Sequence, residues 1–172
     1  KLRLLFPFMF MALTSANAQN AIDLSGDWQF RIDRDGGCDA TSRFDDHIQL
    51  PGSMLTRGKG DDLSLKTRWV GSIYDSSYYY NPYMEPYRRE GRMKFPFFLT
   101  PDKHYVGSAW YRRSVTIPAA WRRHRVILFL ERPHIETTVY VNGVMAGHQM
   151  SLSVPHQYDI TGFVTPGKAN QI

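Results

Sequence analysis

A single cysteine, Cys38, stands in the 172 residues, so no disulfide can close within the chain and the fold must rest on its core even in an oxidising compartment. That thiol reads as a half-buried spectator, because a catalytic role needs a paired histidine and the sequence identifies none. The six histidines are dispersed without an i, i+4 pair, which argues against a structural zinc site. No Gly-x-Ser-x-Gly elbow marks a serine hydrolase. Gly58-Lys59-Gly60 lacks the spacing and the Ser/Thr of a phosphate loop and reads as a flexible turn. Long apolar runs are missing too. The longest, Leu4 to Leu13, is interrupted by Pro7 and is too short for a hydrocarbon core of about 30 Å, which takes about 20 residues. After it no long segment of 3.6-residue period occurs. The net charge of +5 is modest and its basic residues are scattered. The densest group, Arg122-Arg123-His124-Arg125, falls between two predicted strands and reads as a solvated turn. With neither basic-aromatic repeats nor a recognition-helix pattern, nucleic acid is not an expected partner.

The first 18 residues carry the marks of a secretory signal peptide. Lys1 and Arg3 form a basic flank, Leu4 to Leu13 an apolar segment, and Ala16-Asn17-Ala18 a small-x-small cleavage site before Gln19. The expected organisation is therefore a signal peptide over 1–18, with an initiator Met lost ahead of Lys1, and one domain over 19–172. Cleavage lowers the charge excess from +5 to +3 and leaves 154 residues, enough for a core of its own. A secreted or periplasmic location is implied, with no membrane contact after cleavage.

What is present in abundance is strand patterning. In Ile135-Glu136-Thr137-Thr138-Val139-Tyr140-Val141, positions 135, 137, 139 and 141 share one face. Asn142-Gly143 then supplies the two positive-φ residues of a tight hairpin, and Val144-Met145-Ala146-Gly147 returns as its partner. Leu24 to Ile32 alternates likewise, with Trp28, Phe30 and Ile32 on one side. Ile48-Gln49-Leu50 runs into a Pro51-Gly52 turn. Val126 to Leu130 is apolar without interruption, as expected of a strand covered on both faces. Further strands are predicted at Trp110–Arg113, Val115–Pro118, Tyr158–Thr161 and in the closing 166–172. The expected fold is all-β, an antiparallel jelly-roll β-sandwich.

The order of these motifs, above all the run from Gly107 to Ile172 and the Gly26-Asp27-Trp28-Gln29-Phe30 entry strand, resembles the N-terminal sugar-binding domain of glycoside hydrolase family 2, the family of β-galactosidases, β-glucuronidases and β-mannosidases. Trp69-Val70-Gly71-Ser72-Ile73-Tyr74 and the stretch from Phe97 to Tyr111 look like secreted polysaccharide-degrading members from gut Bacteroidetes. The resemblance implies a domain that packs on a downstream catalytic barrel and lends a loop to the active-site rim, with carbohydrate as partner and no cofactor. It also implies that both catalytic glutamates lie beyond Ile172. Asn170-Gln171-Ile172 reads as the start of a final strand that family members complete within a few residues, so the chain is expected to stop mid-element. Where some β-galactosidases place an Asp for the sugar and a sodium ion, this chain reads His148-Gln149-Met150-Ser151. Met150 cannot replace that oxygen, which argues against a sodium site and against β-galactose.

Half of the aromatic residues fall between positions 64 and 110. Four prolines, at 82, 86, 96 and 101, prevent continuous pairing there, so an ordered aromatic loop is expected over about 64–109. A pyranose has polar edges and C–H-rich faces, and tyrosine meets both. The candidate sugar contacts are Asp75, Tyr80, Asn81, Tyr83 and Arg88, although any one ring can equally serve to glue the loop down. Glycoside hydrolysis needs two carboxyl groups about 5 Å or roughly 6.5–9.5 Å apart. Asp75 with Glu85, or Glu131 with Glu136, are available, but spacing singles out neither pair, and no catalytic residue is assigned. Two functions remain open: the non-catalytic front domain of a secreted glycosidase, or a free-standing carbohydrate-binding module.

Overall fold

The computed structural model describes residues 21–64, 66–67, 76–90 and 102–172. The expected signal peptide over 1–18 lies outside them. Among the described residues the strands are β1 (Gly26–Asp33), β2 (Asp46–Leu50), β3 (Asp61–Asp62), β4 (Lys103–His104), β5 (Ser108–Arg112), β6 (Ser114–Thr116), β7 (Ile127–Leu130), β8 (Glu136–Val141), β9 (Val144–Met150), β10 (His156–Asp159) and β11 (Ala169–Gln171). Three short 3-10 turns, Ser76–Tyr79, Pro82–Tyr87 and Ala119–Arg123, complete the regular structure there. The all-β sandwich expected from the alternation is the fold observed.

β1 lies between β2 and β5, antiparallel to both. Its alternation buries Trp28 and Phe30, which with Ile48 of β2 form one apolar cluster, backed by Tyr111, edge-on to Phe30 with ring centroids 5.1 Å apart. A second cluster gathers Val115, Ile117, Leu128, Val139, Val141 and Ile160 from the strands that follow. Trp110 of β5 rests against Tyr140 of β8, ring centroids 5.4 Å apart, and so joins the first sheet to the β8–β9 hairpin. These rings and branched side chains supply the apolar area that an unbridged chain needs.

The Asn142-Gly143 turn forms as its chemistry requires, with φ of 52° and 83°. Asn142 also does something a glycine cannot. Its Nδ2 donates to Phe163 O at 2.9 Å and to Asn170 Oδ1 at 3.0 Å, while its Oδ1 accepts from Gln171 N at 2.9 Å. The hairpin is thereby stapled to β11. Asn170 itself, 1% exposed, donates to Thr165 O and Lys168 O and accepts from Thr165 N. With the Asn142 contact, both ends of its amide are satisfied.

One strand departs from expectation. Val126 and Leu128 are buried, but Ile127 is 41% and Phe129 53% exposed. β7 is thus covered on one face, its outward residues lying opposite Asp159 and Gln157 of β10. An uninterrupted apolar run reports hydrophobicity on both faces, not a layer on each of them.

Candidate functional site

The aromatic loop springs from a clamped neck. β3 pairs with β4, Asp61 opposite His104 and Asp62 opposite Lys103, so the residues between return to their starting point. Arg34, just beyond β1, holds Asp61 through both guanidinium nitrogens at 2.6 and 3.1 Å, and Lys103 holds Asp62. That Arg34 bond keeps the Asp61 carboxyl below its usual range, against a smaller opposing effect of burial. Tyr105 donates its hydroxyl to Asp33 O and Ser108 O, tying the neck back to β1 and β5.

Within the loop, residues 76–90 build a small framework from their own polar groups. Tyr78 is fully buried and donates to Tyr87 O at 2.9 Å. Asn81 caps the Pro82–Tyr87 turn, its Oδ1 accepting from Tyr83 N at 3.0 Å. Pro82 follows at the first position of the turn, where its missing N–H costs nothing. Arg88 donates Nη1 to Tyr78 O and Asn81 O. Glu85 and Arg89 pair at 2.9 Å, and Arg89 depresses the Glu85 carboxyl.

Of the expected sugar contacts, then, Tyr80, Asn81, Tyr83 and Arg88 come together on one ordered segment, whereas Asp75 lies outside the described residues. Their roles differ. Arg88 spends donors on the loop's carbonyls, and the Oδ1 of Asn81 is committed to the cap, leaving its Nδ2 without a partner among the described residues. Tyr80 is 72% and Tyr83 87% exposed, and neither ring has a described partner. Those two rings flank Asn81 and face outward, while Tyr78 is the ring that glues.

The carboxyl pairs weighed from the sequence take surface partners. Glu131 meets Arg132 at 3.5 Å and Glu136 meets His148 Nε2 at 2.8 Å. Among the described residues, the carboxyls displaced from their ordinary values all move down. Lys59 draws Asp46 down through both oxygens at 2.6 and 2.7 Å, and hydroxyl and N–H donation from Thr161 draws Asp159 down. Asp33 is buried beside Cys38. Burial pushes its carboxyl up, but donors from Trp110 Nε1 and the N–H groups of Cys38 and Gly37 together outweigh that and hold it low. The Cys38 thiol is pushed up by burial and by Asp33, away from the reactive thiolate. A general acid of glycoside cleavage needs the opposite displacement, a carboxyl raised toward neutrality.

Sequence reasoning passed over the polar half of the first sheet. Asp27, Gln29, His47 and Arg112 all occupy outward positions and line one groove of about 380 Å³. The alternation that located Trp28 and Phe30 inside had already marked 27 and 29 as outward. The pairing that brings His47 and Arg112 beside them joins distant parts of the chain and left no local signal.

No protein-family model matches the chain. Over 70 residues, 41% of its length, it is 27% identical to a β-glucuronidase of Paenibacillus borealis, and over 68 residues 35% identical to the human β-glucuronidase. It spans about a tenth of the length of these relatives, 12% and 10% respectively. Among solved structures, a Ruminococcus gnavus β-glucuronidase in complex with uronic deoxynojirimycin matches 86% of this chain with a TM-score of 0.56 at 20% identity, using 20% of its own length. A Lactobacillus rhamnosus β-glucuronidase matches the same share at 0.55 and 19%. At such identity the structural likeness shows the fold: a β-sandwich domain of the kind these enzymes carry. Sequence adds the relationship, and the chain is a homologue of part of the β-glucuronidases of glycoside hydrolase family 2.

Proposed function

We propose that this chain is the non-catalytic, sugar-contacting N-terminal domain of a secreted or periplasmic family 2 glycoside hydrolase that cleaves β-linked saccharides. The observation that carries this reading is its 35% identity to the human β-glucuronidase over 68 residues, inside a sandwich matched over 86% of the chain. In this reading the sandwich packs on a catalytic barrel outside the chain, and the loop bearing Tyr80, Asn81 and Tyr83 reaches the rim of the active site. Solved relatives hold uronic deoxynojirimycin and D-glucuronic acid, which supports a carbohydrate, and a uronide in particular, as the ligand class. Arg88 acts as a positioning residue that fixes the loop carbonyls, and Tyr80 and Tyr83 offer ring faces to the sugar.

The test is an assay of the chain alone against a panel of aryl β-glycosides, the β-glucuronide included. No turnover is expected. Turnover abolished by Glu131→Gln or Glu136→Gln would put the chemistry in this domain and overturn the reading.

A further inference from the structure

Two stretches singled out by the sequence, Arg122-Arg123-His124-Arg125 and Val126 to Leu130, have no part in the site described so far, and they are consecutive. The first begins in the Ala119–Arg123 turn. Trp121 packs on the second apolar cluster and its backbone closes the turn, the N–H donating to Pro118 O at 3.0 Å and the carbonyl accepting from His124 N at 2.9 Å. Trp121 is the turn's anchor, and Arg122 and Arg123 beside it are exposed. Most described cations are spent elsewhere, Arg34 on Asp61, Lys59 on Asp46 and Lys103 on Asp62 among them. Arg122 and Arg123 have no acceptor among the described residues.

Arg125 fixes where the stretch leads. Its Nε and Nη2 lie 3.1 and 3.0 Å from Asp159 Oδ2, and Asp159 stands opposite Ile127 in the β10–β7 pair. Exposed positions then alternate along β7, with Ile127 41% and Phe129 53% exposed and Gln157 opposite Phe129. The Gln157 side-chain amide has no partner among the described residues, because its bonds to Gln149 are made by the backbone. Asp159 is fully used, with Oδ2 on Arg125 and Oδ1 on the N–H and hydroxyl of Thr161.

Charge decides the kind of partner. Arg122, Arg123 and Arg125 fall within three residues, at most about 11 Å of chain, so they act together on a ligand within a screening length of about 8–10 Å. From Arg125 to Phe129 the strand runs about 13 Å, a span for several linked units and not for one small anion. A membrane is disfavoured, because Phe129 and Ile127 stand on a strand beside Gln157 and Asp159, where neither can sink about 5–10 Å into a headgroup layer. A peptide of acidic side chains alone would answer the arginines but leave the Phe129 ring and the Gln157 amide to water. A pyranose chain bearing carboxylates meets all three: anion on guanidinium, C–H face on the ring, hydroxyl on the amide.

We propose that the strip from Arg122 to Phe129 is an accessory surface for an acidic, uronate-bearing polysaccharide, separate from the aromatic loop. Its carboxylates meet Arg122, Arg123 and Arg125, and one of its rings lies against Phe129 with a hydroxyl on Gln157. The choice of a saccharide as the polyanion rests on the function proposed above.

The experiment is a titration of the 15N-labelled full chain with hexagalacturonate, with maltohexaose, hexaglutamate and phosphatidylglycerol vesicles as parallel arms. The readout needs no turnover, so its failure is distinct from that of the proposed function. Saturable amide shifts at Arg122, Arg123, Phe129 and the Gln157 side chain are expected with hexagalacturonate, at an affinity about tenfold or more above the other arms and falling as salt is raised. Replacing both exposed arginines, Arg122→Ser with Arg123→Ser, should weaken binding about tenfold. Phe129→Thr keeps a strand-forming residue and should weaken it about fivefold with the salt dependence unchanged; should it fail to fold, the arginine pair carries the test. Hexaglutamate bound as tightly as hexagalacturonate overturns the proposal in favour of an acidic protein, and vesicles bound as tightly overturn it in favour of a membrane. Equal binding of maltohexaose, or unchanged affinity in a folded variant, also overturns it. Shifts confined to residues 78–88 do so too, while leaving sugar contact by the loop standing.

Discussion

Asn81 carries two roles that substitution can separate. Its Oδ1 caps the Pro82–Tyr87 turn through Tyr83 N, and its Nδ2 is the donor left for a ligand. Asn81→Ala removes both. Loss of a side-chain cap costs about 0.5–2 kcal/mol of local order, and loss of a ligand hydrogen bond at about 1–3 kcal/mol lowers kcat/KM about tenfold or more. Asn81→Asp keeps the capping oxygen and deletes the donor. In the full-length protein, Asn81→Asp is therefore expected to lower kcat/KM for the natural saccharide about tenfold while the Tyr83 amide keeps its protection from hydrogen exchange. Asn81→Ala should lose both. The two readouts are independent, because the cap is internal to the loop and the donor has no partner among the described residues. Wild-type kinetics for Asn81→Asp, with lost protection only in Asn81→Ala, would make Asn81 a scaffold residue and refute the reasoning.

Asn170→Ala orphans Thr165 N and removes one of the bonds made by Thr165 O, Lys168 O and the Asn142 amide at a site 1% exposed, and should cost about 1–3 kcal/mol by denaturant unfolding. Asn170→Asp turns a donor facing two carbonyls into a carboxylate, so that variant should gain stability as pH falls, the opposite trend to the parent. For the parent, Asp33 and Asp46 are held below their ordinary range. They contribute stability above the unfolded carboxyl value of about 3.9, lost as pH drops below it through their folded values; melting temperature against pH should bend downward there, and less so in Asp33→Asn. Asp61→Asn breaks the Arg34 clamp at the neck; amides of β3 and β4 should then exchange faster while those of residues 78–88 and of β1 do not.

How much of this was legible depended on the range of the interaction that fixed it. The Asn142-Gly143 hairpin is written in two adjacent residues, and both the turn and its φ values follow from them. The same asparagine's grip on Phe163 and β11 is not, because it needs the far end of the domain to be in place. The cap at Asn81 is within reach of sequence reading, an Asn before Pro82 being a start signal for a turn. Tyr78, Tyr80 and Tyr83 are alike in sequence, and only the structure separates the buried ring from the two exposed ones. The neck of the loop, four residues in two pairs, carries no pattern that periodicity detects. It is set by Arg34 and Lys103, which reach acids distant in the chain.

The energetics of that neck bear on why the loop is built as it is. A two-pair ladder and exposed ion pairs worth about 0–1 kcal/mol each hold only weakly against the entropy of closing a long loop, a cost that nevertheless grows slowly with length. The order seen over 76–90 must therefore come from within: a fully buried Tyr78, a capped turn, and Arg88 across two carbonyls. A segment ordered by its own contacts can be carried by the sandwich without being specified by it, so its outward tyrosines can be exchanged for other contacts at little cost to the core. The sheet face is the reverse case. Gln29, His47 and Arg112 are aligned by the same ladder that buries Trp28 and Phe30, so a change in their spacing requires a change of register, which would turn the core face outward. Chemistry placed on the loop is therefore free to vary, whereas chemistry placed on the sheet is held as firmly as the fold.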